Sequence, residues 1–329
     1  MMWFKDLVGF DEISPENVRS NLRIEDGFLV SQLTGEKYQI GKLSTPTLAD
    51  LRQQTSGLVC DQPIRVSEVV SDITRLHIEP ENSGALFQVA SQFNLLEMVS
   101  PNVIPEQGVG IYELDHTQGP ACAIACGAGT IYRNYFAQGG GQQGQSASHQ
   151  IDCLGDLGAV LGNADEHLWK MQNGYAIPSG NGLKEIDTRL KAASDEEWDQ
   201  LKSMLRIGIM ENTQVTLGGA SHLVSQAYCS ALPVAYSNLP ALLWDRFARL
   251  ILEASYEATL HAAVLNRDKT GKNCVFLTLL GGGAFGNKSA WIIESVQLAL
   301  SKFKGSGLDI RFVSHSSANP ALKNLLTSN

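Results

Sequence analysis

A glycine-rich stretch near the carboxyl end of the chain places the strongest constraint on its fold. Residues 277–287 are Leu-Thr-Leu-Leu-Gly-Gly-Gly-Ala-Phe-Gly-Asn, and an almost unbroken apolar run at 274–280 leads into the glycines. Such a run is typical of a strand covered on both faces. Apolar residues then recur at helical spacing from 288 to 303, and 308–313 has the pattern of another strand. The stretch therefore predicts strand, turn and helix, with free backbone N–H groups that suit an anion such as phosphate.

The glycine spacing alone leaves several alternatives open. The pattern Gly-x-Gly-x-x-Gly at 281–286 matches a dinucleotide-binding fingerprint, but only about one βαβ unit follows it. The next strand also ends in Ser-His-Ser at 314–316 rather than in an acidic residue. A nucleotide-triphosphate loop is nearly matched, although Asn287 separates the last glycine from Lys288. A turn that only packs a helix against a sheet is the third alternative.

Composition limits the classes of partner. Of the 329 residues, 43% are hydrophobic and 18% are charged, so a large core can form. The net charge is −9, from 25 basic and 34 acidic residues. Bulk electrostatics therefore oppose binding to nucleic acid or to an anionic membrane, and we expect neither partner.

The six cysteines are scattered, which favours reduced thiols in a cytoplasmic protein. The start of the sequence lacks the apolar core of a signal peptide, and no apolar run reaches the length of a membrane span. Because a bacterial effector can be exported without a cleaved signal, the host cytosol is a second expected location. We expect no cofactor and no metal, since Cys122 and Cys126 with His116 fit no standard zinc spacing.

We predict one layered α/β domain over residues 1–329, because strands and helices alternate in its last third. Residues 1–60 are predicted to form an N-terminal extension and 137–212 an insertion, which leaves a core of about 61–136 and 213–329. The predicted strands lie at 27–33, 37–40, 65–70, 85–90 and 214–217, the predicted helices at 47–54, 121–136, 194–206 and 240–265, and a flexible loop at 137–150.

Three stretches in this order resemble the macrodomain superfamily. Val-Val-Ser-Asp-Ile-Thr at 69–74 is similar to the macrodomain Gly-Asp-Ile-Thr signature, with Ser71 in place of the glycine. Val-Ala-Ser-Gln-Phe-Asn at 89–94 corresponds to the strand that ends in Asn-Ala-Ala-Asn, and the glycine loop corresponds to the macrodomain phosphate loop. Residues 105–135 look closer to the MavL-type bacterial effector macrodomains, which are themselves similar to poly(ADP-ribose) glycohydrolases. The resemblance covers roughly residues 66–318.

This resemblance implies a three-layer fold, with a mixed, mostly parallel sheet between helices, and ADP-ribose as the ligand. By position, Asp72 would accept the adenine amino group, the Ile73 N–H would meet the ring, and Asn94 would reach the distal ribose. The diphosphate would be wrapped by the residues of the glycine loop: Gly281, Gly282, Gly283, Ala284, Phe285, Gly286 and Asn287.

Acidic residues after Asn94 are candidates for catalysing cleavage of a glycosidic bond. Cleavage of a glycosidic bond passes through a cation-like transition state, which carboxylates can stabilise while they activate water or protonate the leaving group. Glu106 and Asp115 are the first candidates for catalysis and Glu97 the third. The MavL-type resemblance implies removal of ADP-ribose from arginine, notably on ubiquitin. Two alternatives remain: a non-catalytic ADP-ribose reader, for which these acids are solvated loop charges, and a nucleotide-binding enzyme that uses the glycine loop.

Overall fold

The computed structural model describes residues 3–58, 60–139 and 141–327. Strands make up a seven-stranded central sheet and three small antiparallel sheets. The fourteen strands in these residues are β1 Leu22–Glu25, β2 Phe28–Ser31, β3 Lys37–Gln39, β4 Lys42–Ser44, β5 Arg65–Val70, β6 Leu86–Ala90, β7 Gln138–Gly139, β8 Gln142–Gln143, β9 Trp169–Gln172, β10 Tyr175–Pro178, β11 Gly208–Gln214, β12 Leu223–Cys229, β13 Cys274–Leu277 and β14 Asp309–Ser314.

The central sheet has the strand order β4-β11-β12-β6-β13-β14-β5. Five neighbouring strands, from β12 across to β5, are mutually parallel, whereas on the other side β11 pairs antiparallel with β12 and β4 pairs antiparallel with β11. Buried apolar residues fill β13 completely, as expected of a strand covered on both faces. The carboxyl ends of all five parallel strands therefore lie along the same edge.

Twelve α-helices lie in the described residues and form the outer layers. They are α1 Trp3–Val8, α2 Pro15–Asn21, α3 Leu48–Thr55, α4 Ile73–Ile78, α5 Gln118–Ala125, α6 Gly127–Tyr135, α7 Gly155–Leu161, α8 Gly180–Ala192, α9 Asp195–Ser203, α10 Ala241–Thr270, α11 Ser289–Lys302 and α12 Lys323–Thr327. The 30-residue helix α10 packs with α3, α8, α9 and α11, while α5 packs with α4 and α6.

Strand β6 separates the two helical layers. Its Phe87 ring stacks on His77 of α4, with 3.8 Å between ring centroids. The next side chain along the strand, Gln88, donates through Nε2 to Thr259 Oγ1 of α10 at 3.0 Å. Because successive side chains of a strand point to opposite faces, α4 and α10 cover opposite sides of the sheet. The predicted three-layer α/β fold with a mixed, mostly parallel sheet is confirmed.

The N-terminal extension forms a second hydrophobic core beside the main one. Residues of the extension, such as Phe4 and Val18, pack with Met98, Tyr112 and Ile131 of the 95–136 segment. That segment contains two short 3-10 helices, Pro105–Gln107 and Gly110–Leu114, before α5. The extension is thus packed against the segment that carries the predicted catalytic acids.

The central insertion is joined to the chain after β6 by amide side chains. Asn94 Nδ2 donates to Gln150 Oε1 at 2.8 Å, and Gln150 Nε2 donates to Asn173 Oδ1 at 3.0 Å. Asn173 Nδ2 in turn donates to the carbonyl of Pro101 at 2.7 Å. This chain of hydrogen bonds fixes the insertion at one end of the central sheet.

Most predicted elements are present, with shifted ends. The strand at 65–70 and the helix preceded by Thr47 are as predicted, and the strand and helix on either side of the glycine loop are also present. The hairpin of 27–40 is confirmed as the pair β2 and β3. Helix α10 ends at Thr270, five residues beyond the predicted end at 265.

Other predictions are wrong. The helix at 121–136 is two helices that break at Cys126, where Gly127 N donates to Thr216 Oγ1 at 3.0 Å. Of the strand predicted at 214–217, only Gln214 lies in a strand, as the last residue of β11, and β12 was not predicted. The predicted loop at 137–150 contains the short pair β7 and β8 and the buried Gln145, whereas position 140 lies outside the described residues.

Two strands of the central sheet fall wholly or mostly outside the predicted core. Strand β4 falls within the predicted extension and β11 begins within the predicted insertion, yet both belong to the central sheet. In the part of the chain that the structure describes, no helix is both long and apolar enough to cross a bilayer.

Candidate functional site

The loops that follow the five parallel strands converge on one cleft. The polar or glycine-rich stretches after β5, β6, β13 and β14 all lie along the carboxyl edge of the sheet. Ligands of parallel α/β proteins bind at this edge, where strand ends and helix starts leave backbone groups available. Three adjoining cavities open there, and Thr278 at the end of β13 lines all three. The sheet thus brings together the stretches that resemble macrodomain motifs.

The first cavity lies beside Asp72 and has a volume of about 630 Å³. Asp72 caps α4, and its Oδ1 accepts from the N–H and the hydroxyl of Thr74, both at 2.7 Å. Partial burial opposes ionisation of this carboxyl, but the Thr74 hydrogen bonds and nearby His315 lower its pKa. An ionised, outward-facing carboxylate suits a ligand amino group. Ile73 and His315 line the same cavity. Of these two residues, only Ile73 was a predicted ligand contact.

The second cavity has a volume of about 500 Å³ and contains the acids. Glu97 lines it, and Asp115 lines both this cavity and the first. Asp115 is partly exposed, and its Oδ1 accepts from Thr117 N at 2.9 Å. The structure therefore brings together two of the three predicted catalytic acids, with Asp115 at the boundary between the two cavities.

Glu97 is fully buried in an ion pair with Arg133. Arg133 Nη1 lies 2.9 and 3.2 Å from the two carboxylate oxygens, and neither side chain is exposed. Burial raises the pKa of Glu97 to about 7, while the charge and hydrogen bonds of Arg133 oppose that rise. Burial thus favours the protonated form of Glu97, whereas Arg133 favours the ionised form.

The surroundings of Arg133 fix the position of Glu97. Its guanidinium donates to the carbonyl of Leu95, donates from Nη2 to Thr130 Oγ1 at 3.0 Å, and lies 3.9 Å from the ring centroid of Tyr228. A buried arginine with this many partners has little freedom to move. The floor of the second cavity is consequently rigid.

The glycine loop closes on itself and needs glycine at two positions. Gly281 and Gly286 have φ values of 74° and 71°, in the left-handed region. A Cβ at Gly281 would lie 2.4 Å from the Cβ of Ala231, and one at Gly286 would lie 2.8 Å from that of Ala235. Asn287 N donates to the carbonyl of Gly281 at 2.9 Å and closes the loop.

The middle of the glycine loop has free donors. Within the described residues, the backbone N–H groups of Gly283, Ala284 and Phe285 have no hydrogen-bond acceptor. The N–H of Gly282, in contrast, donates to the carbonyl of Leu279. Asn287, predicted as a ligand contact, is buried, and its Nδ2 donates to the carbonyl of Leu232 at 2.9 Å. The loop can therefore bind an anion through three backbone groups, with Asn287 as a support.

A third cavity of about 460 Å³ lies between the glycine loop and residues 315–320. Gly282 and Gly283 line one side of it, and Ser289 at the start of α11 contributes to its wall. Glu68 holds the opposite loop, because its Oε1 accepts from Ser314 Oγ and Asn319 N, both at 2.6 Å. The free N–H groups of the glycine loop are thus flanked by two walls with hydroxyl groups.

Glu106 does not reach the cleft. Its carboxylate accepts from Ala147 N at 2.9 and 3.1 Å, and it lines none of the three cavities. The preceding Pro105 is held by Asn134, whose Nδ2 donates to its carbonyl at 3.0 Å. Glu106 therefore faces the insertion instead of lying over a ribose.

Asn94 is also turned away from the cleft. Its amide donates to Gln150, and its Oδ1 accepts from Leu96 N at 3.1 Å. Ser91 and Gln92, earlier in the same stretch, line the second cavity in its place. The predicted contact of Asn94 with the distal ribose is therefore not supported by the geometry.

An aromatic wall at the second cavity was not predicted. The rings of Tyr175, Tyr236 and Phe285 lie with centroids 5.3, 5.3 and 5.7 Å apart. Only Phe285 was a predicted site residue. Tyr175 follows the Asn173–Gly174 turn of the hairpin β9–β10, and Asn-Gly is a strong hairpin signal in a sequence. That signal locates the turn but cannot tell which distant loop the tyrosine meets.

Comparisons with solved structures give distant similarities. The fold is similar to poly(ADP-ribose) glycohydrolase from Thermomonospora curvata bound to the inhibitor ADP-HPD, with 13% identity, a TM-score of 0.46, and coverage of 95% of this chain and 94% of that one. It is also similar to the Deinococcus radiodurans enzyme in complex with ADP-ribose, with 13% identity, a TM-score of 0.47, and coverage of 88% and 96%. No protein-family model matches the sequence, and neither does any curated protein. Similarity at this level assigns no role to any residue of this chain.

Proposed function

We propose that this protein binds ADP-ribose and hydrolyses the glycosidic bond between ADP-ribose and a protein side chain. Arginine is the proposed acceptor residue, ubiquitin is one candidate carrier, and the cytosol of the producing or of a host cell is the proposed location. The single observation that carries the proposal is the cleft itself. An ionised Asp72, an anion loop with free N–H groups, and the acids Glu97 and Asp115 line connected cavities.

ADP-ribose matches this order of groups along the cleft. The adenine amino group would meet Asp72, and the diphosphate would accept from Gly283, Ala284 and Phe285. Backbone N–H groups are the expected donors in a protein with a net charge of −9, which offers few spare cations for phosphates. The distal ribose would then lie in the second cavity, beside Asp115 and Glu97.

The two acids have environments that suit different steps. Asp115, on the more open wall, would stabilise positive charge at the anomeric carbon and direct a water molecule to it. Glu97, with a pKa of about 7, has no exposed side-chain surface, so it would supply the proton that the departing side-chain nitrogen takes through an intervening water. Water forms a bond to the anomeric carbon as the carbon–nitrogen bond breaks; one proton of that water stays on the new ribose hydroxyl, and the other goes to Asp115.

The walls of the second cavity favour a guanidinium as the leaving group. Asp115 offers a carboxylate, and Tyr175, Tyr236 and Phe285 offer aromatic rings beside it. A flat cation is attracted both by carboxylates and by ring faces. This combination supports arginine over an acidic acceptor side chain, whose carboxylate Asp115 would repel.

The test compares two acids that the structure separates. Asp115→Asn should reduce hydrolysis of ADP-ribosyl-arginine by about 100-fold or more, as expected for loss of acid–base or charge-stabilising groups. Glu106→Gln, on the same segment but outside the cleft, is the matched control and should retain activity. Calorimetric titration in the absence of magnesium should show ADP-ribose binding to wild type, Asp115→Asn and Glu106→Gln. Titration with ATP should show no binding to any of them. Equal activity of Asp115→Asn and wild type would refute the mechanism, and ATP binding would favour the nucleotide-enzyme alternative.

A reader function is the second candidate, and the Glu97–Arg133 ion pair favours it. Both oxygens of the Glu97 carboxylate are hydrogen-bonded to the buried Arg133 guanidinium. Such a pair can hold the fold together without taking part in a reaction. If wild type binds ADP-ribose but hydrolyses neither ADP-ribosyl-arginine nor other ADP-ribosylated side chains, the reader function replaces the hydrolase.

A further inference from the structure

Glu12, in the N-terminal extension, binds the loop that leads to the acids. Its Oε1 accepts from Val109 N at 2.9 Å and from the Tyr135 hydroxyl at 2.7 Å. Its Oε2 accepts from Gly110 N at 2.6 Å. One carboxylate thus joins the extension, the start of a 3-10 helix and helix α6.

The loop is shaped around this carboxylate. A Cβ at Gly108 would lie 2.4 Å from Glu12 Oε2, and one at Gly110 would lie 2.8 Å from the same atom. Gly108 also has a φ of 87°, which favours glycine. Both glycines leave the space that the carboxylate of Glu12 fills.

The charge of Glu12 is compensated by hydrogen bonds from two loop amides and from the Tyr135 hydroxyl. Among the residues that the structure describes, no lysine, arginine or histidine forms an ion pair with it. Burial raises the pKa of its carboxyl, and the three hydrogen bonds oppose that rise. A partly buried carboxylate without a cation depends on its hydrogen bonds for stabilisation, so these bonds restrict its geometry.

The segment that Glu12 holds leads directly to both acids of the cleft. The 3-10 helix Gly110–Leu114 begins at the amides that Glu12 binds. Within it, the Tyr112 hydroxyl accepts from Glu97 N at 3.0 Å, and the Tyr112 carbonyl accepts from Asp115 N at 3.1 Å. The backbone N–H of Trp3, also in the extension, donates to Glu113 Oε2 at 3.4 Å.

We propose that Glu12 is a positioning residue, through which the N-terminal extension sets the placement of Glu97 and Asp115. It acts through Tyr112 and does not touch the ligand. The consequence for hydrolysis rests on the proposed function, whereas the consequence for loop order does not.

The first test measures amide hydrogen exchange in the full chain. In Glu12→Gln, one acceptor oxygen is replaced by an amide that faces an N–H donor, so exchange at 109–115 should rise about tenfold or more. The glycine loop should keep its wild-type exchange. Glu16→Gln is the matched control, because Glu16 lies in the same extension and its exposed side chain forms an ion pair with Arg19 at the surface. Unchanged exchange at 109–115 in Glu12→Gln would overturn the proposal.

A milder variant covers the case in which Glu12→Gln fails to fold. Tyr135→Phe removes one of the three hydrogen bonds and keeps the ring, so exchange at 109–115 should rise by a smaller factor than in Glu12→Gln. Exchange equal to wild type in this variant would also count against the proposal.

The last measurement separates positioning from simple stability. Glu12→Gln should lower kcat by about tenfold while KM and ADP-ribose affinity stay within about twofold, because the acids move and the anion loop does not. A wild-type kcat in a variant with faster exchange would overturn the positioning role. If wild type itself shows no hydrolysis, the proposed function fails, and the exchange measurements alone decide the role of Glu12.

Discussion

The glycine loop and the acid-bearing segment form opposite walls of one cleft but are built in different ways. In the loop at 278–287, four backbone hydrogen bonds among its own residues form the turns, and Leu232, Ala235 and Tyr256 support the loop from outside. The segment at 95–118 is held by side chains from other elements, including Glu12, Arg133 and Tyr175. The shape of the first wall is therefore set largely by its own turns and glycines, whereas that of the second depends on side chains from the rest of the fold. Binding and chemistry should accordingly respond to different mutations.

The largest expected effect comes from removing the partner of Glu97. Arg133→Ala leaves a buried carboxylate without its cation, which should lower the free energy of unfolding by about 3–5 kcal/mol at pH 8. Denaturant titration measures this loss. The double variant Arg133→Met, Glu97→Gln removes both charges and should recover much of the stability. A single variant as stable as wild type would show that this wall does not depend on the pair.

A smaller loss is expected at the opposite wall. Gly281→Ala places a Cβ 2.4 Å from that of Ala231 at a φ of 74°, so it should cost about 1–3 kcal/mol of unfolding free energy. ADP-ribose affinity should fall about tenfold as the N–H groups move. Gly283→Ala is the matched control, since its Cβ would meet nothing within 4 Å and its N–H remains. Equal affinities of the two variants would contradict a loop shaped by local backbone geometry.

The smallest expected effect is a difference in pH dependence between hydrolysis, which depends on the acid-bearing wall, and ADP-ribose binding. The pKa of Glu97 lies near 7, and its proposed role needs the protonated form, so kcat/KM should fall towards tenfold per pH unit above about 7. ADP-ribose affinity should stay constant from pH 6 to 8, because the lowered pKa of Asp72 keeps that carboxylate ionised. Measurement of both quantities in wild type and in Glu97→Gln tests the assignment. A decline that persists in Glu97→Gln would assign the titration to another group.

The same division explains which predictions from the sequence succeeded. The strand, turn and helix around the glycine loop depend on a short apolar run, glycines and helical spacing, all of which are local signals. The fold class followed from these elements and their order.

The failures involve contacts that no local pattern contains. Strand β11 carries a register shift between Met210 and Thr213, with Asn212 at a φ of 55°, so its alternation of apolar and polar residues is interrupted. The helix break at Cys126 depends on Thr216, and the direction of Glu106 depends on Ala147. Spacing identified the acids near the cleft but could not tell which of them the distant extension and insertion would turn towards it.

The position of β5 at one side of the described sheet has a consequence for synthesis on the ribosome. Strand β5 pairs with β14, whose residues 309–314 are translated long after β5 itself. Asp72 and α4 follow β5, so they reach their final positions only after residues 309–314 have emerged from the ribosome. A nascent chain could contain the glycine loop and both acids and still lack the wall that faces the adenine. Ligand recognition would thus be acquired in one late step, when the last strand joins the sheet.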